Sequence, residues 1–179
     1  GRDFLLGLAI AYQVQCRLSD VAPVRAHGWD HTVQGQYGAA AGAAKAMGLT
    51  STQMANAVAI SGTGYNSLRV TRTGDLSNWK GLAYPNTAKG AVFSTLLAEY
   101  GITGPAAVFE GNKGLMDTIT GPFKLDWSKE DLSAVTRTII KRYNAEIHSQ
   151  SSIEGLLALR QKYQIPAADI KAIRLQTFD

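Results

Sequence analysis

Apolar positions crowd the start of the chain. DFLLGLAIAYQVQCRL, residues 3–18, reads as an apolar helix that stops near Ser19, Asp20 and Pro23. A polar loop, VAPVRAHGWDHT, follows, and VQGQYGAAAGAAKAMG then predicts a second helix whose glycines and alanines permit close helix–helix approach, with Gly48 as its C-terminal cap. TSTQMANAVAISGTG predicts a third helix, opened by Thr50 or Ser51 and stopped by Gly62 and Gly64. Residues 65–85 read as an irregular link, and NTAKGAVFSTLLAEYG as a fourth helix ending at Gly101. Two junctions, AAKAMGLTSTQMANAV and LLAEYGITGPAAVFEG, both run helix, Gly, aliphatic, Thr, helix, the pattern of stacked antiparallel hairpins.

The texture changes after GPFKLDW. AVTRTIIKRY, residues 134–143, is β-branched and partly alternating and predicts a strand. SSIEGLLALRQKY predicts an amphipathic helix with Ser151 or Ser152 as its cap, and IKAIRLQTF, residues 170–178, a second strand. The fold class expected is therefore mainly α: an all-helical portion over 1–120, then the start of a smaller α+β domain of β-α-β form over 121–179. Because the chain ends on that strand, the second domain is expected to be incomplete.

Composition narrows the class. At 45% hydrophobic and 18% charged residues, with a mean hydropathy of −0.07, the chain is of soluble globular type. Its longest apolar runs are too short to span a bilayer, and GRDFLLGLAI lacks a basic region and cleavage site, so neither membrane nor secretion is expected. A net charge of +4 raises the question of nucleic acid, but the 18 Lys and Arg are scattered, without a basic run. An anionic small-molecule substrate suits that balance. Cys16 is the one cysteine, which excludes a disulfide framework or a cysteine-bound iron–sulfur cluster and makes a cytoplasmic setting the simplest reading.

Templates for metal hydrolases, dinucleotide loops, Walker-type phosphate loops and esterase elbows are absent. Three polar clusters remain. RAHGWDHT carries Arg25, His27, Trp29, Asp30, His31 and Thr32, although an Asp–Thr pair also serves as a plain helix cap. NSLRVTRTGDLSNWK carries Arg69, Arg72, Trp79 and Lys80; arginines there are either solvated or clamp carboxylates. KRYNAEIHSQSS sets Lys141, Tyr143, His148, Ser149 and Gln150 at the start of a helix, where an anion is favoured. This cationic, hydrogen-bonding inventory suits proton abstraction beside a carboxylate, with cations holding the developing charge.

In this order the clusters resemble the MmgE/PrpD family. The carrying stretches are GWDHTVQGQYGAAAGAAKAMGLT, RVTRTGDLSNWKGLAYPNTAKGAVFSTLLAEYGITGPAAVFEGNKG and AEIHSQSSIE, and the Trp-Lys and His-Ser-Gln forms are most similar to the family's 2-methylcitrate dehydratase branch. The resemblance implies that Lys80 is the active-site lysine. It sets the loop Trp29–Thr32 at a position where the decarboxylase branch has a histidine, so that Asp30 and His31 are both candidates. Lys141 and His148 correspond to the lysine and histidine that open the second domain. Ala83 stands where the decarboxylase branch has a further histidine, a departure towards the dehydratase side.

The catalytic set so implied is Lys80, His148, Asp30 and His31, with Trp29, Thr32, Arg69, Arg72, Lys141, Ser149 and Gln150 in substrate binding. The expected activity is cofactor-independent loss of water from 2-methylcitrate or a related tricarboxylate, in a homodimer that binds no nucleic acid. A decarboxylase or epimerase of the same family, and a non-catalytic helical interaction module, are the alternatives. The chain matches only a central portion of such an enzyme, as a fragment.

Overall fold

A computed structural model describes residues 1–176. It divides into two compact units, Gly1–Arg137 and Thr138–Asp179.

The first unit is built on four helices, α1 (Arg2–Val21), α2 (Thr32–Ala46), α3 (Ser51–Gly64) and α4 (Trp79–Glu99). α2 packs against α1, α3 and α4 and is buried along nearly its whole length. Its small residues make that possible. A Cβ on Gly42 would lie 2.5 Å from the Gly7 carbonyl oxygen, and one on Gly38 2.5 Å from that of Ala11, so α1 and α2 touch backbone to backbone. Gln34, buried on α2, donates to the Ala22 carbonyl at 2.6 Å and so satisfies an acceptor at the end of α1. Leu18, Val24, Val33, Tyr37, Val108, Leu115 and Ile119 form the main core, with Trp29 and Phe109 packed against it.

The expected helix boundaries hold at several ends. Thr50 caps α3 in a reciprocal capping box with Gln53, and Gly48 and Gly101 follow α2 and α4 in left-handed conformations (φ 75° and 85°). The start of α4 differs: the helix opens at Trp79, seven residues before Asn86, and carries Pro85 inside it. Pro85 forgoes only one backbone bond, and its exposed position leaves the freed carbonyl within reach of water. Tyr84 anchors these early turns, packing over Gly35 and donating its hydroxyl to Gln15 Oε1 at 2.8 Å.

The second unit is described from Thr138 to Gln176 and holds one long helix, α5 (Gln150–Tyr163). α5 is preceded by Ser149, whose hydroxyl makes no capping bond to the helix, and neither Ser151 nor Ser152 is the cap. The strands expected over 134–143 and 170–178 are not formed among the described residues, and Thr177 and Phe178 lie outside them. Residues Ser133–Arg137 make a tight 3-10 turn, and Ile139 and Ile140 beyond it are 78% and 91% exposed. A β-branched run favours extended backbone, but a strand also needs a partner for its N–H and C=O groups. No described segment supplies one to this run; the sole pairing among the described residues is the isolated bridge between Trp29 and Leu68.

Candidate active site

That bridge has a consequence for function. It joins two of the three polar loops recognised in the sequence. The turn Val24–His27 ends at Gly28, whose φ of 82° is a left-handed conformation that glycine adopts freely. Beyond it, Asp30 N–H donates to the Ser67 carbonyl at 2.8 Å, and Arg69 N–H donates to the Gly28 carbonyl at 3.0 Å. The segment 66–72 is thus fastened to the N-terminal end of α2.

Asp30 lies at the centre of the junction, with no solvent exposure. Its Oδ1 accepts from Thr32 N–H at 3.0 Å, and its Oδ2 from Arg72 Nε at 2.5 Å. His31 Nδ1 stands 3.4 Å from Oδ1. Burial pushes the Asp30 carboxyl up, but the Thr32 amide, the Arg72 guanidinium and His31 outweigh it and hold the group below the usual carboxylate range. His31 moves down as well. Burial disfavours its charged form most, Asp30 opposes that, and Arg72, Arg25 and Arg69 add repulsion. The pair therefore divides into a fixed, ionised carboxylate and an imidazole biased towards neutrality.

Their exposure differs accordingly. The His31 side chain is 40% exposed while that of Asp30 is fully covered. His31 is the one of the two able to meet a ligand directly, and Asp30 orients Arg72. With Arg25 and Arg69 nearby, cations outnumber anions here.

Lys80 occupies the first turn of α4, half-buried, with its backbone N–H donating to the Ser77 carbonyl at 3.1 Å. It is helical, not part of a link. Trp79 beside it is 49% exposed. Among the described residues no ion pair joins Lys80 to the Asp30 cluster.

In the second unit, Lys141, His148 and Gln150 line one cleft of about 490 Å³, together with Tyr143 and Glu154. Ser149 is turned to local structure, donating its hydroxyl to the Glu146 carbonyl at 2.7 Å. The Gln150 amide accepts from Tyr143 N–H at 3.0 Å and donates to the Tyr143 carbonyl at 3.0 Å and the Ala145 carbonyl at 3.2 Å. Gln150 therefore clamps the loop that presents Lys141 and His148. Glu154 accepts from Arg142 at 2.8 Å and from the Tyr143 hydroxyl at 2.5 Å, closing the same loop from α5.

Sequence reasoning missed Gln36 and Asn66. Gln36 Nε2 donates to Asn66 Oδ1 at 2.8 Å, and Asn66 Nδ2 donates to the Gly62 carbonyl at 3.0 Å, so together they hold the start of the arginine-bearing segment. The available signal was a buried amide in an otherwise alanine- and glycine-rich helix.

A helical layer that carries a cationic junction at one helix end defines the class: an α-helical domain. The model of the MmgE/PrpD N-terminal domain matches residues 1–128, and the chain belongs to the MmgE/PrpD family. It is 26% identical, over 188 aligned positions, to a protein named 2-methylcitrate dehydratase from Escherichia coli O157:H7. That alignment covers 99% of this chain and 38% of the relative, so the chain spans well under half of the relative's length. Among the described residues no helix is long and apolar enough to cross a membrane.

Proposed function

We propose that this chain carries the cation-lined part of the active site of a hydro-lyase that removes water from 2-methylcitrate or a closely related tricarboxylate. The carrying observation is the buried Asp30–Arg72 pair with His31 beside it, in a chain of this family. The α-hydrogen of such a substrate is weakly acidic, and its loss builds negative charge on the neighbouring carboxylate. Arg69 and Arg72 hold the carboxylates, beside Trp29 and Thr32. Lys80 takes the proton from carbon. The electron pair of the C–H bond becomes the C=C bond, the C–O bond breaks, and the departing hydroxide takes a proton and leaves as water. His31, biased towards neutrality, is suited to move that second proton, and Asp30 keeps Arg72 in place.

The reaction needs no cofactor on this reading. The protein is a cytoplasmic homodimer that binds neither nucleic acid nor membrane. Residues 1–120 belong to its large helical domain and 121–179 open the smaller α+β domain.

Product analysis tests the proposal. The full-length gene product carrying these residues is incubated with 2-methylcitrate, citrate and cis-aconitate, and unsaturated acid and carbon dioxide are both measured. Formation of 2-methylaconitate without carbon dioxide is expected; carbon dioxide release without dehydration would sink the reading.

A further inference from the structure

Two side-chain atoms on α2 stand out from the rest of its polar groups. Among the described residues, Thr32 Oγ1 and Gln36 Oε1 are buried without a hydrogen-bond partner, and both residues are fully covered. A buried acceptor or hydroxyl left unpaired is costly, and native interiors pair nearly all of them. The orientation of the Gln36 amide follows from its neighbours. Asn66 Nδ2 donates to the Gly62 carbonyl, so Asn66 offers Oδ1 to Gln36, and Gln36 must present its NH2 there. Oε1 is then turned away from Asn66. The Thr32 hydroxyl makes no hydrogen bond back to the Gly28 carbonyl, four residues earlier.

The two residues stand four apart on one helix, which sets their Cβ atoms roughly 5–6 Å from each other. Both unpaired atoms therefore arise from one face of α2. We propose that Thr32 and Gln36 form a binding site for a single O–H group, which donates to Gln36 Oε1 and accepts from the Thr32 hydroxyl. The site adjoins the Asp30 junction, since the Thr32 amide is itself bonded to Asp30. Two sources share this chemistry: a structural water, and the alcohol of a hydroxy acid. The second source rests on the dehydratase reading; the first does not.

A diffraction structure of the ligand-free chain, a second with citrate bound, and calorimetry separate them. An ordered water within hydrogen-bond reach of both atoms, retained with citrate, establishes the site as one for water. If the citrate hydroxyl takes that place, citrate should bind about tenfold tighter than tricarballylate, its analogue without the hydroxyl. That preference should vanish in Thr32→Val and persist in Thr32→Ser, which keeps the hydroxyl. Finding no oxygen between the two atoms in either crystal, or one of the protein's own groups there, overturns the proposal. The ligand-free arm needs no turnover, so its failure leaves the dehydratase reading standing, and an inactive enzyme with an ordered water leaves the site standing.

Discussion

At Asp30, removal of the carboxylate strands Arg72, whose side chain is only 21% exposed. Asp30→Ala should lower unfolding free energy by about 2–4 kcal/mol in urea titrations, somewhat less than a fully buried pair because Arg72 keeps some solvent. The pH dependence has a definite sign. The folded carboxyl lies below its ordinary value, so the folded state binds fewer protons than the unfolded one. Its contribution is present above the unfolded value near 3.9 and is lost as pH falls further towards the folded value. Asp30→Asn should therefore flatten the acid limb of stability relative to the wild type, below about pH 4. For His31 the shift is also downward, so its stabilising contribution shrinks as pH falls below the ordinary value of about 6.5. An NMR titration should place His31 below that value, and Asp30→Asn should move it lower still, because Asp30 is what holds it up; an upward move would contradict this account.

The chemistry at this scale was legible as a list of residues and not as a site. RAHGWDHT and NSLRVTR showed the right charges, but the bridge between Trp29 and Leu68 that joins them spans a long sequence separation and leaves no local mark. Which of Asp30 and His31 faces outward followed only from burial.

Among the helices, the crossing of α1 and α2 depends on glycine for space. Gly42→Ala gains about 1 kcal/mol in helix propensity but drives a methyl group against the Gly7 carbonyl and Ala11 Cβ. The overpacking should win, with a net loss of about 1–2 kcal/mol by thermal or urea unfolding. Gly155 on α5 has open space around it, so Gly155→Ala should raise α5 helicity, read as slower amide hydrogen exchange along that helix. Helix ends marked by Thr50, Gly48 and Gly101 were readable because caps are local. The start of α4 was hidden by Pro85, whose usual meaning as a helix breaker is suspended on an exposed face held down by Tyr84. The expected strands are not formed among the described residues for a related reason. A β-branched composition is local, but pairing is not, and Ile139 and Ile140 meet no ladder among the described residues.

For the whole molecule, the family match ends at residue 128, within the first compact unit that runs to Arg137. Lys80 belongs to that unit, and the cleft lined by Lys141 and His148 belongs to the second. The central claim is that Lys80 takes part in the chemistry, and turnover tests it most directly. With 2-methylcitrate at saturation, kcat of the full-length gene product is compared between wild type and Lys80→Ala, with folding checked by circular dichroism. A proton-transfer role predicts a fall of about 10²–10⁴-fold in kcat with the fold intact; an unchanged kcat would contradict it.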